Sequence, residues 1–167
     1  DDCFFSEYLR VRDVETVLCR VFKAWDKGLY RDYLDKFGLS GAKNIKELSR
    51  GMRMKLSLAA ALAHRPRLLL LDEATAGLDP VVREEILDEF LAFVSDEDHA
   101  ILISSHITSD LEKVADYIAY LHQGKLLLCD EKDRLLDSYG RLVCTREELE
   151  QVDRGYLVSV RKSQYST

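Results

Sequence analysis

Two patterns of apolar residues divide the chain into an N-terminal helical part and a later part in which strands and helices alternate. In the first part apolar residues recur three and four positions apart, which indicates one face of a helix ending near Gly28: Val14, Val17, Leu18, Val21, Phe22 and Trp25. A shorter helical pattern runs from Tyr30 to Phe37 and stops at Gly38, and residues 41–44 are typical of a loop. We expect roughly the first 45 residues to be mainly helical.

The pattern of apolar residues changes after residues 48–49. Residues 54–64 are rich in Leu and Ala and predict a helix, with Ser49 as its N-cap and Pro66 beyond its end. The uninterrupted apolar run 68–71 is typical of a strand in a parallel sheet covered on both faces. Asp79 then caps a further helix, whose expected buried face consists of Ile86, Leu87, Phe90, Leu91 and Val94.

The remaining pattern is richer in strands. The expected elements are a strand at 100–104, a helix at 108–114, a hairpin of 117–121 with 125–129, a short helix to Leu136, a capped turn at 145–148 and a strand at 156–160. This order predicts an α/β fold with a helical subdomain, a parallel-sheet part and a small β-rich tail. We expect domain boundaries that separate residues 1–47, 48–130 and 131–167.

Composition narrows the functional classes. The chain has 24 Lys and Arg against 30 Asp and Glu, a net charge of −6, and its basic residues are scattered, which argues against a nucleic-acid-binding surface. No segment approaches the ~18 apolar residues of a membrane span. The four cysteines have no CxxC spacing and fit reduced, buried thiols of a cytosolic protein: Cys3, Cys19, Cys129 and Cys144.

Four short motifs carry the candidate chemistry. Each alone has an ordinary structural explanation, such as a capped helix, a strand ending in acidic residues, or a loop histidine. The motifs, in order, are Leu-Ser-Arg-Gly-Met at 48–52, Leu-Asp-Glu at 71–73, Ala-Gly-Leu-Asp-Pro at 76–80 and Ser-Ser-His at 104–106. Together they resemble the signature motif, Walker B strand with its following glutamate, D-loop and switch histidine of the ABC ATPase family. The resemblance implies a partial P-loop NTPase fold.

The signature-like segment lies at a predicted helix start. The free backbone N–H groups around Ser49 and Gly51, together with the helix dipole, favour an anion such as a nucleotide phosphate. In the family this segment binds the nucleotide held by the opposite subunit. Arg50 replaces the glycine that is common at this position in the family. Its side chain is expected either to contact phosphate through its charge or to point into solvent. The form of this segment looks most like that of exporter ATPase subunits.

The resemblance also implies roles for four downstream residues. Asp72 is expected to hold Mg²⁺, because this ion prefers carboxylate oxygens. We expect the contact to pass through water, since Mg²⁺ retains much of its hydration shell. Glu73 orients or deprotonates the attacking water, and His106 stabilises the γ-phosphate. Asp79 contacts the opposite subunit, and it also fits a role as helix cap.

A phosphate-binding loop of the form Gly-x-x-x-x-Gly-Lys-Ser/Thr does not occur in the sequence. We therefore expect the 167-residue chain alone to bind ATP and Mg²⁺ poorly, not to hydrolyse ATP, and to self-associate through exposed sheet surface. Asp1 and Asp2 are the candidates for the glutamine position of the family's Q-loop.

The resulting functional expectation is an ATP-binding subunit of an ABC transporter. Its implied partners are a second nucleotide-binding subunit and a transmembrane permease, at the cytoplasmic face of the membrane. Two alternatives stay open: a non-catalytic interaction module, and a soluble ABC ATPase that acts on nucleic acid or ribosomes. Salt-sensitive nucleic-acid binding would favour the last.

Overall fold

The computed structural model describes residues 5–161, and the chain divides into two compact units, the first ending at Ile118 and the second beginning at Ala119. The first unit begins with helices, which are α1 (Val11–Val21), α2 (Lys27–Lys36) and α3 (Arg50–Leu62), with a 3₁₀ turn at Ile45–Glu47 before α3. The helical start of the chain is thus confirmed. The boundaries predicted at 47 and 130 stay a prediction.

The first helix is shorter than the apolar pattern predicted. It ends at Val21, and Asp26 then accepts a hydrogen bond from the Leu29 backbone N–H as the N-cap of α2. Since an N-cap residue has extended backbone, the chain cannot continue as one helix through this region. Trp25 lies after the helix and still packs against the core.

A two-stranded parallel sheet follows the helices. Strand β1 (Leu68–Asp72) pairs with β2 (Ala100–Ser104) in a register that places Leu68 opposite Ala100 and Asp72 opposite Ser104. Helix α4 (Pro80–Val94) connects the two strands, and α5 (Thr108–Val114) follows β2. The parallel register brings the carboxyl ends of both strands to the same edge of the sheet.

Only one face of this sheet is covered within the described residues. This agrees with the exposed sheet surface expected of this chain, and not with the two covered faces that the apolar run alone indicates. Leu69 is buried in the same core as Ile86 and Phe90, whereas Leu70 is 69% exposed and Leu102 is 66% exposed. Successive strand side chains point to opposite faces, which explains the alternation. The apolar run showed strand formation and did not reveal which face had a partner.

The core of the first unit joins the helices to the covered sheet face. Its largest fully buried apolar side chains come from α1 to α4 and the 3₁₀ turn: Val11, Val14, Tyr30, Ile45, Leu56, Leu58, Ile86 and Phe90. The hydroxyl of Tyr30 donates to the carbonyl of Val11 at 2.9 Å, which satisfies a buried polar group and ties α2 to α1. Leu91, expected on the buried face of α4, is instead partly exposed.

The second unit contains a hairpin and two short helices. Strand β3 (Tyr117–His122) begins two residues before the boundary and pairs with β4 (Lys125–Glu131) through a turn at Gln123 and Gly124, as predicted. Helices α6 (Lys132–Ser138) and α7 (Arg146–Gln151) follow, with Thr145 capping α7.

The strand predicted at 156–160 is absent from the described part of the second unit. The chain forms a 3₁₀ turn at Arg154–Tyr156 and then continues without regular structure, and the side chains of Tyr156 and Val158 are exposed. An alternating pattern cannot form a strand when no neighbouring strand supplies hydrogen bonds. Among the cysteines, Cys19 and Cys144 are half-buried free thiols and Cys129 is exposed, which corrects the expectation of buried thiols; Cys3 lies outside the described residues.

The longest helix among residues 5–161 is α4, with 15 residues. No helix in this range has the length and apolar character needed to cross a bilayer.

Candidate functional site

The common carboxyl edge of β1 and β2 carries the first part of the candidate site. The hydroxyl of Ser104 donates to Oδ1 of its register partner Asp72. The backbone N–H of Glu73 donates to the Ser104 carbonyl at 3.1 Å and lies 3.2 Å from the Ser104 hydroxyl oxygen. Ser104 therefore links the Asp72 side chain to the backbone of Glu73.

Glu73 leaves the strand in a left-handed backbone conformation, with φ of 49°. This conformation is uncommon for a residue other than glycine, and it is held here by the hydrogen bonds to Ser104. The turn brings Oε2 of Glu73 to 2.7 Å from Nδ1 of His106. His106 donates a hydrogen bond to this carboxylate when the ring proton is on Nδ1.

The start of α3 forms a second part of the candidate site. Ser49 is the N-cap, and its hydroxyl accepts a hydrogen bond from the Met52 backbone N–H at 3.3 Å. Gly51 is buried against α4, where a β-carbon at this position would lie 2.9 Å from Cγ1 of Val82. Glycine is therefore required for the close approach of α3 to α4.

Arg50 contacts the loop that connects β1 to α4. A β-carbon on Gly77 would lie 2.5 Å from Nη1 of Arg50, so the guanidinium packs directly over this glycine. Gly77 has φ of 67°, a conformation that also favours glycine. The Arg50 side chain is exposed and lies against this loop.

Asp79 ends this loop and caps α4. Its carboxylate accepts a hydrogen bond from the Val82 backbone N–H at 3.0 Å, as expected for a cap, and the residue is exposed. Within the loop, the Ala76 N–H donates to the Glu73 carbonyl at 3.0 Å and the Leu78 N–H donates to the Thr75 carbonyl at 3.3 Å. The loop is thus a folded segment with its own hydrogen bonds.

Three further polar residues adjoin the site and were not identified from the sequence. Thr75 Oγ1 donates to Asp110 at 2.6 Å, and Arg83 Nε donates to the same carboxylate at 2.7 Å. Asp110 lies in the first turn of α5, where an acidic residue is ordinarily explained by the helix dipole. No signal in the neighbouring sequence distinguishes Asp110 from such an exposed residue.

A cleft of about 800 Å³ extends along α3, β1 and the following loop. Its lining includes side chains from both parts of the candidate site: Arg50, Arg53, Ser57, Leu70, Asp72 and Glu73. The structure thus brings Asp72, Glu73 and His106 together at the sheet edge and places Arg50 on the neighbouring loop. Asp1 and Asp2 lie outside the described residues.

Comparison with known proteins agrees with these features. The family model described as "ABC transporter" matches residues 3–76. The chain is 32% identical over 139 residues to the ABC transporter ATP-binding protein YtrB of Bacillus subtilis, covering 83% of this chain and 47% of that protein. It is 34% identical over 125 residues to the bacitracin transport ATP-binding protein BcrA of Bacillus licheniformis, covering 74% and 41% respectively.

A solved structure of an inward-facing ABC transporter of the metal-chelate type has the same fold, with a TM-score of 0.67 at 22% sequence identity. The match covers 80% of this chain and 57% of that chain. The chain spans about half the length of the curated relatives that it matches. By its motifs, its fold and its similarity to these proteins, whose names describe them as ATP-binding proteins of transporters, the chain belongs to the ABC transporter family.

Proposed function

We propose that this chain supplies the signature helix, the Walker B carboxylates and the switch histidine of an ATP-hydrolysing ABC transporter subunit. The observation that carries the proposal is the 2.7 Å contact between Glu73 and His106 at the carboxyl edge of the sheet. Ligands of open α/β sheets bind at this edge. A carboxylate paired with a histidine there can accept the proton of an attacking water.

Glu73 is the group that orients or deprotonates water in this proposal. His106 fixes the direction of the carboxylate and is the candidate to stabilise charge that develops on the γ-phosphate. His106 is largely exposed and Glu73 is half-buried, so both are accessible to a nucleotide that approaches the sheet edge. In phosphoryl transfer such groups act mainly through position and electrostatics.

Asp72 is the candidate ligand of Mg²⁺. Its carboxylate is exposed at the end of β1 and is oriented by the Ser104 hydroxyl. No cluster of three or more His, Cys, Asp or Glu suited to a metal ion is found within residues 5–161. A single oriented carboxylate fits Mg²⁺, which is commonly held by one or two carboxylates, water and substrate phosphates. When bound, the ion would neutralise phosphate charge.

The signature residues are proposed to act on a nucleotide bound by a second nucleotide-binding subunit. Ser49 caps a 13-residue helix and Gly51 lies in its first turn, where backbone N–H groups and the helix dipole favour a phosphate. Arg50 places a positive charge on the adjoining loop at Gly77. Asp79, exposed at the end of that loop, is the proposed contact with the opposite subunit.

The proposed setting is the cytoplasmic face of a membrane, with a transmembrane permease as partner and ATP as the nucleotide. Two relatives support an exporter-type system by their names, the bacitracin transport protein and the lantibiotic transport ATP-binding protein SrtF of Streptococcus pyogenes. SrtF is 41% identical over 102 residues, covering 60% of this chain and 44% of that protein.

The test is steady-state ATP hydrolysis by the full-length gene product, with nucleotide binding measured in parallel. We expect Glu73→Gln to lower turnover by about a hundredfold or more while ATP still binds, because the substitution removes the proton acceptor and keeps its size. Glu97→Gln, at an exposed loop carboxylate, is the matched control. Wild-type turnover in Glu73→Gln would refute the proposal.

A further inference from the structure

Asp110 is a buried carboxylate in a chain whose other carboxylates are mostly exposed. It is 1% exposed, and so is Thr75, the residue whose hydroxyl donates to it at 2.6 Å. Its second oxygen accepts from Nε of Arg83 at 2.7 Å, and Arg83 also donates to the Ser109 hydroxyl at 2.9 Å. A buried charge is tolerated only when it is paired and hydrogen-bonded, as it is here.

This one carboxylate joins three segments that carry the proposed hydrolytic residues. Thr75 lies in the loop of residues 74–78, between Glu73 and Asp79. Arg83 lies in the first turns of α4, the helix that Asp79 caps. Asp110 itself lies in α5, which begins two residues after His106.

The 74–78 loop needs such an anchor because its backbone is unusual at both ends. Glu73 and Gly77 have φ of 49° and 67°, and short turns connect them through hydrogen bonds to the carbonyls of Glu73 and Thr75. Positive φ at a residue other than glycine persists only where the surroundings hold it. Ala74 and Leu78 pack against the core of the unit, and the Thr75 hydroxyl adds the hydrogen bond that ties this loop to the buried Asp110.

A second set of ion pairs, which does not include Asp110, joins α4 to α5. Nζ of Lys113 lies 2.8 Å from Asp88 and also pairs with Glu84, and these two carboxylates raise the pKa of Lys113. None of these three residues contacts the 74–78 loop through a hydrogen bond or an ion pair among those of the described residues. The structure therefore separates two functions: Lys113 joins the helices, and Asp110 joins the helices to the loop.

We propose that Asp110 is a positioning residue for ATP hydrolysis, which acts through Thr75 and Arg83 to hold the 74–78 loop, and with it Glu73 and Asp79, in fixed relation to His106. The inference rests on the proposed function. Asp110 is buried beneath the loop, so its removal should alter the alignment of Glu73 and leave the binding of ATP largely unchanged.

The lead test is Thr75→Val in the full-length gene product, because valine keeps the shape of threonine and removes the hydroxyl. We expect kcat for ATP hydrolysis to fall by about tenfold to a hundredfold, with KM changed less than about threefold. Thr75→Ser should restore kcat to near the wild-type value. Asp110→Asn should behave like Thr75→Val, and Lys113→Gln, which removes only the helix-to-helix ion pairs, should leave kcat and KM unchanged.

Amide hydrogen exchange gives a readout that needs no turnover. Thr75→Val should accelerate exchange at the Ala76 and Leu78 amides by about tenfold, and Lys113→Gln should not. Unchanged exchange at these amides in a folded Thr75→Val protein would overturn the inference, even if the wild type does not hydrolyse ATP. If the wild type hydrolyses ATP, a Thr75→Val protein with the same kcat as the wild type would also overturn the inference. So would a loss of kcat in Lys113→Gln equal to that in Thr75→Val. Absent hydrolysis with accelerated exchange would reject the proposed function and retain the anchoring role.

Discussion

Nδ1 of His106 lies 2.7 Å from Oε2 of Glu73, although the two residues are 33 positions apart in the chain. The parallel pairing of β1 with β2 makes this contact possible, since Asp72 and Ser104 are register partners and both chain segments leave the sheet at the same edge. The left-handed turn at Glu73 then directs its side chain toward the histidine. The proposed chemistry depends on both the register and the turn.

Ser104 provides the first prediction, because its hydroxyl contacts both the Asp72 carboxylate and the backbone N–H of Glu73. We expect Ser104→Ala to lower ATP turnover by about tenfold, since both groups lose part of their orientation. Ser105→Ala is the control, because the Ser105 hydroxyl accepts only a local hydrogen bond from Ile107 among the described contacts. Equal turnover in the two variants, measured in the full-length gene product, would contradict this role for Ser104.

The close approach of α3 to α4 at Gly51 provides a second prediction. Gly51→Ala places a methyl group 2.9 Å from Val82 Cγ1, and we expect it to destabilise the fold by about 1–3 kcal/mol through overpacking. Chemical denaturation of wild type, Gly51→Ala, Val82→Ala and the double variant measures the effect as a cycle. If the clash is the cause, Gly51→Ala costs much less in the Val82→Ala background. A cost that does not depend on residue 82 would exclude it.

Gly77 carries two constraints that can be separated by experiment. Its backbone has φ of 67°, and the guanidinium of Arg50 occupies the space that a side chain would need. We expect Gly77→Ala to destabilise the protein by about 1–2 kcal/mol from the backbone alone, with a further cost from Arg50. Combining it with Arg50→Ala should remove only that further cost. Full recovery of stability in the double variant would show that the backbone conformation is not restrictive.

Asp26 provides a prediction on pH. The hydrogen bond from the Leu29 backbone N–H, and then the guanidinium of Arg65, lower the pKa of Asp26. A lowered pKa in the folded state means that this stabilisation is present above the ordinary pKa of about 3.9 and is lost as pH falls through the folded value. Asp26→Asn keeps an acceptor for the cap but does not titrate.

The measurement is urea denaturation at neutral pH and at about pH 3, which is below the ordinary pKa of an aspartate, so that the unfolded chain binds the proton more readily than the folded protein. Wild type should lose more stability than Asp26→Asn on acidification. The difference between their free energies of unfolding should therefore shrink. A difference that stays constant across this range would show that Asp26 does not contribute to the pH dependence.

Much of the site could be predicted from sequence because its residues are attached to regular elements with clear local signals. Ser49 and Asp79 are caps whose side chains accept hydrogen bonds three residues on, and Asp72 ends an apolar strand. Such features depend on neighbours within one turn of helix or one strand. The parallel sheet then brings Glu73 and His106 to the same edge, although the left-handed turn at Glu73 that completes their contact was not predicted.

What could not be predicted depends on contacts between distant segments. Asp110 has the same sequence context as an exposed helix-dipole residue, and only the position of Thr75 and Arg83 makes it a buried acceptor. Likewise, the apolar run at 68–71 does not reveal that Leu70 is exposed, because burial of a strand face is decided by whatever packs against it.

The most direct test of the central claim is a double-mutant cycle on kcat for ATP hydrolysis in the full-length gene product, with Glu73→Gln, His106→Ala and both together. If Glu73 and His106 act as one unit, each single variant loses most of the rate and the double variant is little slower than the slower single variant. If the losses multiply, the two residues act independently, and their contact does not contribute to hydrolysis.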